Sequence, residues 1–158
     1  MRRSSLPPVA CRVADTLIAR GHHGVIVSPD TPAPTAAEAA RALGAAPGAM
    51  TLARVYLLDD DPVLLLVADG HRVDLAKTSE RLAGRLTEAT PALAEKVTGQ
   101  FLSGLAPVGH PTNLPTWVDT ALSRHRELWA AGGHPNTVFR TSFRELVRIT
   151  AGLPLDVD

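Results

Sequence analysis

The chain has 158 residues, 45% of them hydrophobic and 20% charged, with sixteen Lys and Arg balancing sixteen Asp and Glu. This length suits one domain that buries a core without metal or disulfide staples, and zero net charge excludes the broad positive field of a general nucleic-acid binder. A single cysteine, Cys11, excludes an internal disulfide, no Cys/His pair has zinc-ligand spacing, and three Phe, two Trp and one Tyr are too few for a base-stacking platform.

Met1-Arg2-Arg3 leads into Ser, Ser, Leu and two prolines where a secretion signal would carry an apolar run, and no apolar span reaches membrane length. The expectation is a soluble, cytoplasmic protein with no membrane contact. From Pro8 to Arg20, Val9, Val13, Leu17 and Ile18 recur at helical spacing and Gly21 follows. Gly24 to Ser28 is a short β-branched run that predicts a strand, closed by Pro29 and a stiff connector through Pro32 and Pro34. Thr35-Ala36-Ala37-Glu38 has the form of a capping box and opens an Ala-rich helix ending at Leu43-Gly44.

Two apolar runs, Met50 to Leu58 and Pro62 to Ala68, flank Asp59-Asp60-Asp61 and predict a hairpin through the core, with the aspartates as turn formers in preference to a metal site. His71 to Leu75 reads as a third strand entering a helix from about Ala76 to Ala83. Leu86 to Ala89 reads as a short strand, and Thr90-Pro91 as N-cap and first residue of a helix to about Gly99. Leu114 to Asp119 predicts a strand and Thr120 to Ala131 a helix, with Trp117 and Trp129 in the core. Thr137 to Arg140 is a last strand, Ser142-Phe143-Arg144-Glu145 caps a last helix, and Gly152-Leu153-Pro154 begins a tail. Together these predict one domain over residues 1–158, α/β (α+β) in class, with a mixed, mostly antiparallel sheet wrapped by helices.

Dinucleotide and P-loop glycine motifs are absent, as is the Gly-x-Ser-x-Gly elbow, and Cys11 sits on an amphipathic helix without a cue for nucleophilic use. What remains is a pair of shaped loops, Ser103-Gly104-Leu105-Ala106-Pro107-Val108-Gly109-His110-Pro111 and Gly132-Gly133-His134-Pro135-Asn136-Thr137, each with a Gly-His-Pro tripeptide. Glycine lets backbone approach a ligand and proline freezes the bend, and rigid loops are where sites are commonly carried. His110 and His134 read equally as water-orienting groups and as turn histidines bonded to backbone, and Asp119 as a loop-fixing carboxylate or a helix N-cap.

In order and spacing these features resemble the YbaK/EbsC family, the editing domain associated with prolyl-tRNA synthetase. The resemblance runs through Thr35 to Gly44, Pro62 to Val67, His71 to Leu75, Thr90-Pro91, Leu105 to His110, Val118-Asp119 and Ala131 to Phe139, placing a pocket core at about residues 35–150. It implies a YbaK-like fold and a trans-acting hydrolase of mischarged aminoacyl-tRNA of the proline type, acting without a cofactor, a metal or a protein nucleophile. The implied partners are the acceptor end of an aminoacyl-tRNA and an aminoacyl-tRNA synthetase. Gly104, Gly133 and His134 are the implied catalytic positions, with Arg54, Ser103, Pro107, Gly109, His110 and Asp119 against the substrate. Two positions depart from the family pattern. Its lysine before the apolar strand is missing from Met50 to Tyr56, where Leu52 or Ala53 occupies the register and Arg54 is the nearest cation, and Ser103 replaces the first glycine of Gly-x-x-x-Pro. An alternative reading is a catalytically silent module that keeps the pocket for an aminoacyl or nucleotide ligand.

Overall fold

A computed structural model describes residues 6–158, and the start of the chain at Met1-Arg2-Arg3 lies outside the described residues. Five α-helices, α1 (Pro8–Ala19), α2 (Ala36–Ala42), α3 (Leu75–Leu82), α4 (Pro91–Thr98) and α5 (Phe143–Thr150), surround seven strands. The strands are β1 (Met50–Leu58), β2 (Asp61–Ala68), β3 (Leu86–Glu88), β4 (Thr116–Asp119), β5 (Leu128–Ala131), β6 (Val138–Thr141) and β7 (Leu153–Leu155), in one sheet of order β6-β5-β1-β2-β4-β7 with β3 added to β1. Pairing is antiparallel for β1–β2, β1–β3 and β5–β6 and parallel for β1–β5, β2–β4 and β4–β7. The two longest ladders, β1–β2 and β5–β6, are antiparallel.

The central hairpin follows from its residues. β2 is buried from Val63 through Ala68, which is why it reads as a continuous apolar run and not as an alternation. Leu64, Leu65 and Leu66 are at most 1% exposed, and each such side chain contributes about 1.5–3 kcal/mol by burial. The two-residue turn at Asp59-Asp60 has positive φ at both positions, the form that suits the twist of a tight hairpin. Asp59 also accepts from the Arg85 amide at 2.9 Å, fastening the tip to the segment before β3.

One sheet face carries the main core, where Val13 and Leu17 of α1 and Leu146 and Ile149 of α5 meet Val55, Leu64, Leu66 and Val118. The opposite face is covered by α2 over Met50, Trp129 and Val138, and by a cluster of Tyr56, Leu65, Leu86 and Leu155 flanked by Leu82 of α3. The N-cap half of both predicted capping boxes forms, Thr35 accepting from the Glu38 amide and Ser142 from the Glu145 amide, each cap contributing roughly 1 kcal/mol.

Five expectations are corrected. Gly24–Ser28 is not a strand and makes only one bridge, Val27 to Val138. Val25 stays exposed, so β-branched composition without a sheet neighbour leaves the run irregular. His71–Leu75 is not a strand, because the Asp74 carboxylate caps the Lys77 amide and begins α3. The helix predicted over Thr120–Ala131 is a short 3-10 turn, Thr120–Arg124, followed by β5. Its apolar residues had helical spacing, but pairing with β1 and β6 buries all four residues of Leu128–Ala131. The tail pairs in parallel with β4 as β7. Trp129 is buried beneath the Arg140 guanidinium, 5.0 Å from its ring centroid, whereas Trp117 is only half-buried.

Candidate functional site

A cavity of about 420 Å³ lies beside β1. β1 pairs with β2 along its whole inner edge, but its outer edge is shared. β5 covers Met50 and Thr51, and β3 covers Tyr56 to Leu58. Between them Leu52–Val55 has no strand partner. The lining includes every residue from Met50 to Tyr56, hence side chains from both faces of the strand, so the cavity lies at the strand's open edge and not over a sheet face. The start of α2, Pro91 and Ala94 of α4, and the turn Leu102-Ser103 with Leu105 complete the walls.

Most of that lining is apolar, which makes its few polar groups conspicuous. Arg54 and Tyr56, two residues apart on β1, both line the cavity. Burial raises the pKa of this phenol above its ordinary value, the Arg54 charge opposes that shift, and nearby Glu88 adds to it. The Thr51 hydroxyl is 2% exposed as a residue and has no hydrogen-bond partner among the described residues. Leaving such a group unpaired costs about 1–3 kcal/mol, so a ligand that pairs with it recovers that energy. No histidine or cysteine lines the cavity, so the lining holds no imidazole to activate Ser103 or a threonine as a nucleophile.

The glycine loops are joined behind this wall. A Cβ on Gly104 would lie 2.2 Å from the carbonyl carbon of His134, and the Gly133 amide donates to the Gly104 carbonyl at 2.8 Å. Gly104 is glycine because another backbone occupies the place of its side chain. The Gly104 amide donates to Phe101 and the His134 amide to Thr137 Oγ1 at 3.2 Å. The Gly133 N–H thus ties the two loops together, the Gly104 and His134 N–H groups close their own turns, and all three already have acceptors. The loop is also held by a residue without a sequence signal. Gln100, buried, accepts from the Ala106 amide at 2.8 Å and donates to the Val108 carbonyl at 3.0 Å.

Of the expected site residues, the structure brings Arg54 and Ser103 to the cavity, with Gly104 directly behind. Gly133 packs against Val13 and Val9 of α1, and His134 meets Phe101 edge-on at 5.4 Å, so both brace the wall without lining it. Pro107 is buried, and Gly109 abuts Val13. His110 donates from Nε2 to the Ala106 carbonyl and faces a separate cleft with Arg12, Arg20 and Asn113, its pKa lowered by burial. Asp119 lies at the far end of β4. It caps the Ala121 amide, accepts from the Ala68 amide, and holds His71 Nδ1 at 2.6 Å. Hydrogen bonding to Asp119 and Asp158 raises the His71 pKa. Thr51, Tyr56 and Glu88 were missed, because an apolar strand gives no sign of which stretch of its edge stays uncovered.

A family model described as the aminoacyl-tRNA editing domain matches residues 30–149. The chain is 37% identical to a solved protein described as a candidate trans-editing enzyme for prolyl tRNA synthetase, covering 98% of this chain and 99% of that one with a TM-score of 0.89. A solved hypothetical protein is 25% identical with a TM-score of 0.83, covering 92% of this chain and 98% of that chain. Over 74 residues, 46% of this chain, the sequence is 39% identical to the proline--tRNA ligase of Levilactobacillus brevis, and it spans only 13% of that enzyme's length. Among the described residues no helix is long and apolar enough to cross a membrane, and no group of three His, Cys, Asp or Glu side chains is arranged to hold a metal.

Proposed function

Because this chain belongs to the aminoacyl-tRNA editing domain family, we propose that it is a trans-acting deacylase that hydrolyses the ester of mischarged, proline-type tRNA. The observation that carries this reading is the cavity at the open edge of β1, with Arg54 on one wall and Ser103 on the other. At about 420 Å³ it has the volume to take an aminoacyl group.

Water adds to the ester carbonyl carbon, the bond to the ribose oxygen breaks, and the proton passes to that oxygen. The lining suits a reaction in which binding orients the ester and water attacks directly, since ordered positioning and fixed donors supply much of such an acceleration. Arg54 stands in for the lysine of related domains as the cation facing a terminal phosphate or ribose, and Ser103 adds a hydroxyl at the mouth. The likeness to part of a proline--tRNA ligase supports work alongside that synthetase on tRNA in the cytoplasm.

The test is ester loss from Ala-, Cys-, Ser- and Pro-charged tRNA. At least one is hydrolysed more than tenfold faster than in buffer, and Arg54→Ala lowers kcat/KM by about 10- to 100-fold, the range of a charged contact worth roughly 1.5–3 kcal/mol. Ester loss no faster than buffer for all four overturns the reading and leaves a silent binding module.

A further inference from the structure

The open edge of β1 has a chemistry of its own, which deepens the deacylase reading and rests on it. Strand residues direct both main-chain polar groups to one side, alternating along the strand. The Ala49 carbonyl accepts from Trp129 on the outer side, and the Met50 carbonyl accepts from Asp69 on the β2 side. Farther along, Leu64, opposite Val55, donates to Pro115, away from β1. Thr51, Ala53 and Val55 therefore turn their main chain outward, and Ala53 does so at the centre of the uncovered stretch. The bare segment Leu52–Val55 is about 13 Å long at roughly 3.3 Å per residue, enough for one added residue together with the groups that flank it, between the ends of β5 and β3.

An aminoacyl ester is chemically one such residue. Its α-amino group and its carbonyl flank a single Cα, the pattern by which residues opposite each other in an antiparallel pair exchange two hydrogen bonds. We infer that the aminoacyl group binds as a one-residue strand against Ala53, with the Thr51 hydroxyl selecting an amino acid whose side chain carries a hydroxyl. The α-amino group donates to the Ala53 carbonyl, and the ester carbonyl accepts from the Ala53 N–H. That N–H then faces the oxygen on which negative charge develops during hydrolysis.

The side-chain reading follows from the same geometry. Residues directly opposite in an antiparallel pair project to the same face, so the substrate side chain lies beside that of Ala53, flanked by Thr51 and Val55. Ala53 is small and leaves space. Val55 is apolar. Thr51 presents a buried hydroxyl without a partner, able both to donate and to accept. A substrate hydroxyl pairs with it, whereas an aliphatic side chain of similar size leaves it orphaned.

The experiment compares seryl and alanyl esters on the same tRNA, using wild type, Thr51→Val, Thr51→Ser and Ala53→Pro. Wild type prefers the seryl ester by about tenfold in kcat/KM, the discrimination expected from one buried hydrogen bond. Thr51→Val brings the ratio close to one, while Thr51→Ser keeps it. The Thr51→Val protein melts no lower than wild type, because no bond within the protein is lost. Ala53→Pro removes an outward N–H that no strand uses and slows both esters more than tenfold with a cooperative melt retained; if that variant does not fold, the Thr51 pair decides. A seryl-to-alanyl ratio unchanged in Thr51→Val overturns the inference with the deacylase reading intact. Wild type inert on every ester overturns the deacylase reading itself.

Discussion

In the turn Gly109-His110-Pro111 the imidazole donates to the Ala106 carbonyl, its neutral form is favoured by burial, and Gly109 is wedged against Val13 of α1. In Gly133-His134-Pro135 the imidazole instead leans edge-on against the half-exposed ring of Phe101, and its Nδ1 is buried without a partner among the described residues. Identical tripeptides thus do different work. The first closes a loop onto the helix behind it and looks into a cleft away from the cavity. The second presses on Gly104, one residue from Ser103, and reaches the cavity wall through backbone contact. What separates them is the neighbouring element, since three residues of sequence cannot specify whether α1 or a second loop lies across the turn.

Breaking the contact that makes the second loop special has the largest effect. Gly104→Ala places a methyl group within the van der Waals radius of the His134 backbone, and because backbone cannot swing aside like a long side chain, both loops must shift. Urea titration should show a loss of about 3 kcal/mol or more, at the upper end of substitutions that overpack a core, and deacylation should fall with it. A native-like midpoint in Gly104→Ala would mean that the two loops are not fastened there.

A smaller and more selective effect distinguishes the two histidines. His134→Ala removes the brace on Phe101 and the Ser103 turn, and lowers deacylation by about tenfold while costing roughly 1 kcal/mol or less, as its buried Nδ1 has no hydrogen-bond partner among the described residues. His110→Ala costs about 1–2 kcal/mol through the orphaned Ala106 carbonyl and leaves kcat/KM within about threefold, too little to count as a substrate contact. Equal activity losses in the two variants would undo the distinction.

The smallest effect is on pH dependence. Burial lowers the His110 pKa below its ordinary value, so its contribution to stability is complete above the unfolded value near 6.5 and is lost as pH falls through the folded value. His71, whose pKa is raised by its hydrogen bonds to Asp119 and Asp158, runs the other way, contributing below about 6.5 and fading as pH rises through its folded value. Comparing wild type with His110→Gln in melts between pH 5 and 8 cancels the His71 contribution, and the difference between the two proteins should shrink on the acid side. A difference independent of pH would place His110 in a solvated turn.

Much of the fold was legible because its signals are local. Thr35 and Ser142 cap helices through their own third neighbours, Pro91 starts a helix whose first amide needs no partner, and Asp59-Asp60 turns a hairpin between two apolar runs. The misses share one cause. Leu128–Ala131 and Leu153–Leu155 are strands because β1, β6 and β4 lie beside them, and Gly24–Ser28 is not a strand because only Val27 reaches a neighbour. Strand identity depends on partners far along the chain, which propensity does not encode.

The candidate site divides in the same way. Residue order alone carried the family, the mixed sheet, the two glycine loops and the lack of a lysine from Met50 to Tyr56, since each rests on identity and spacing. Tertiary structure decided that Arg54 and Ser103 line one cavity, that the Gly133 amide bonds the Gly104 carbonyl of the other loop, and that His110 and Asp119 lie outside that cavity's lining. It alone left Leu52–Val55 uncovered between β5 and β3. An open strand edge is a property of where other strands stop, and no residue within β1 records it.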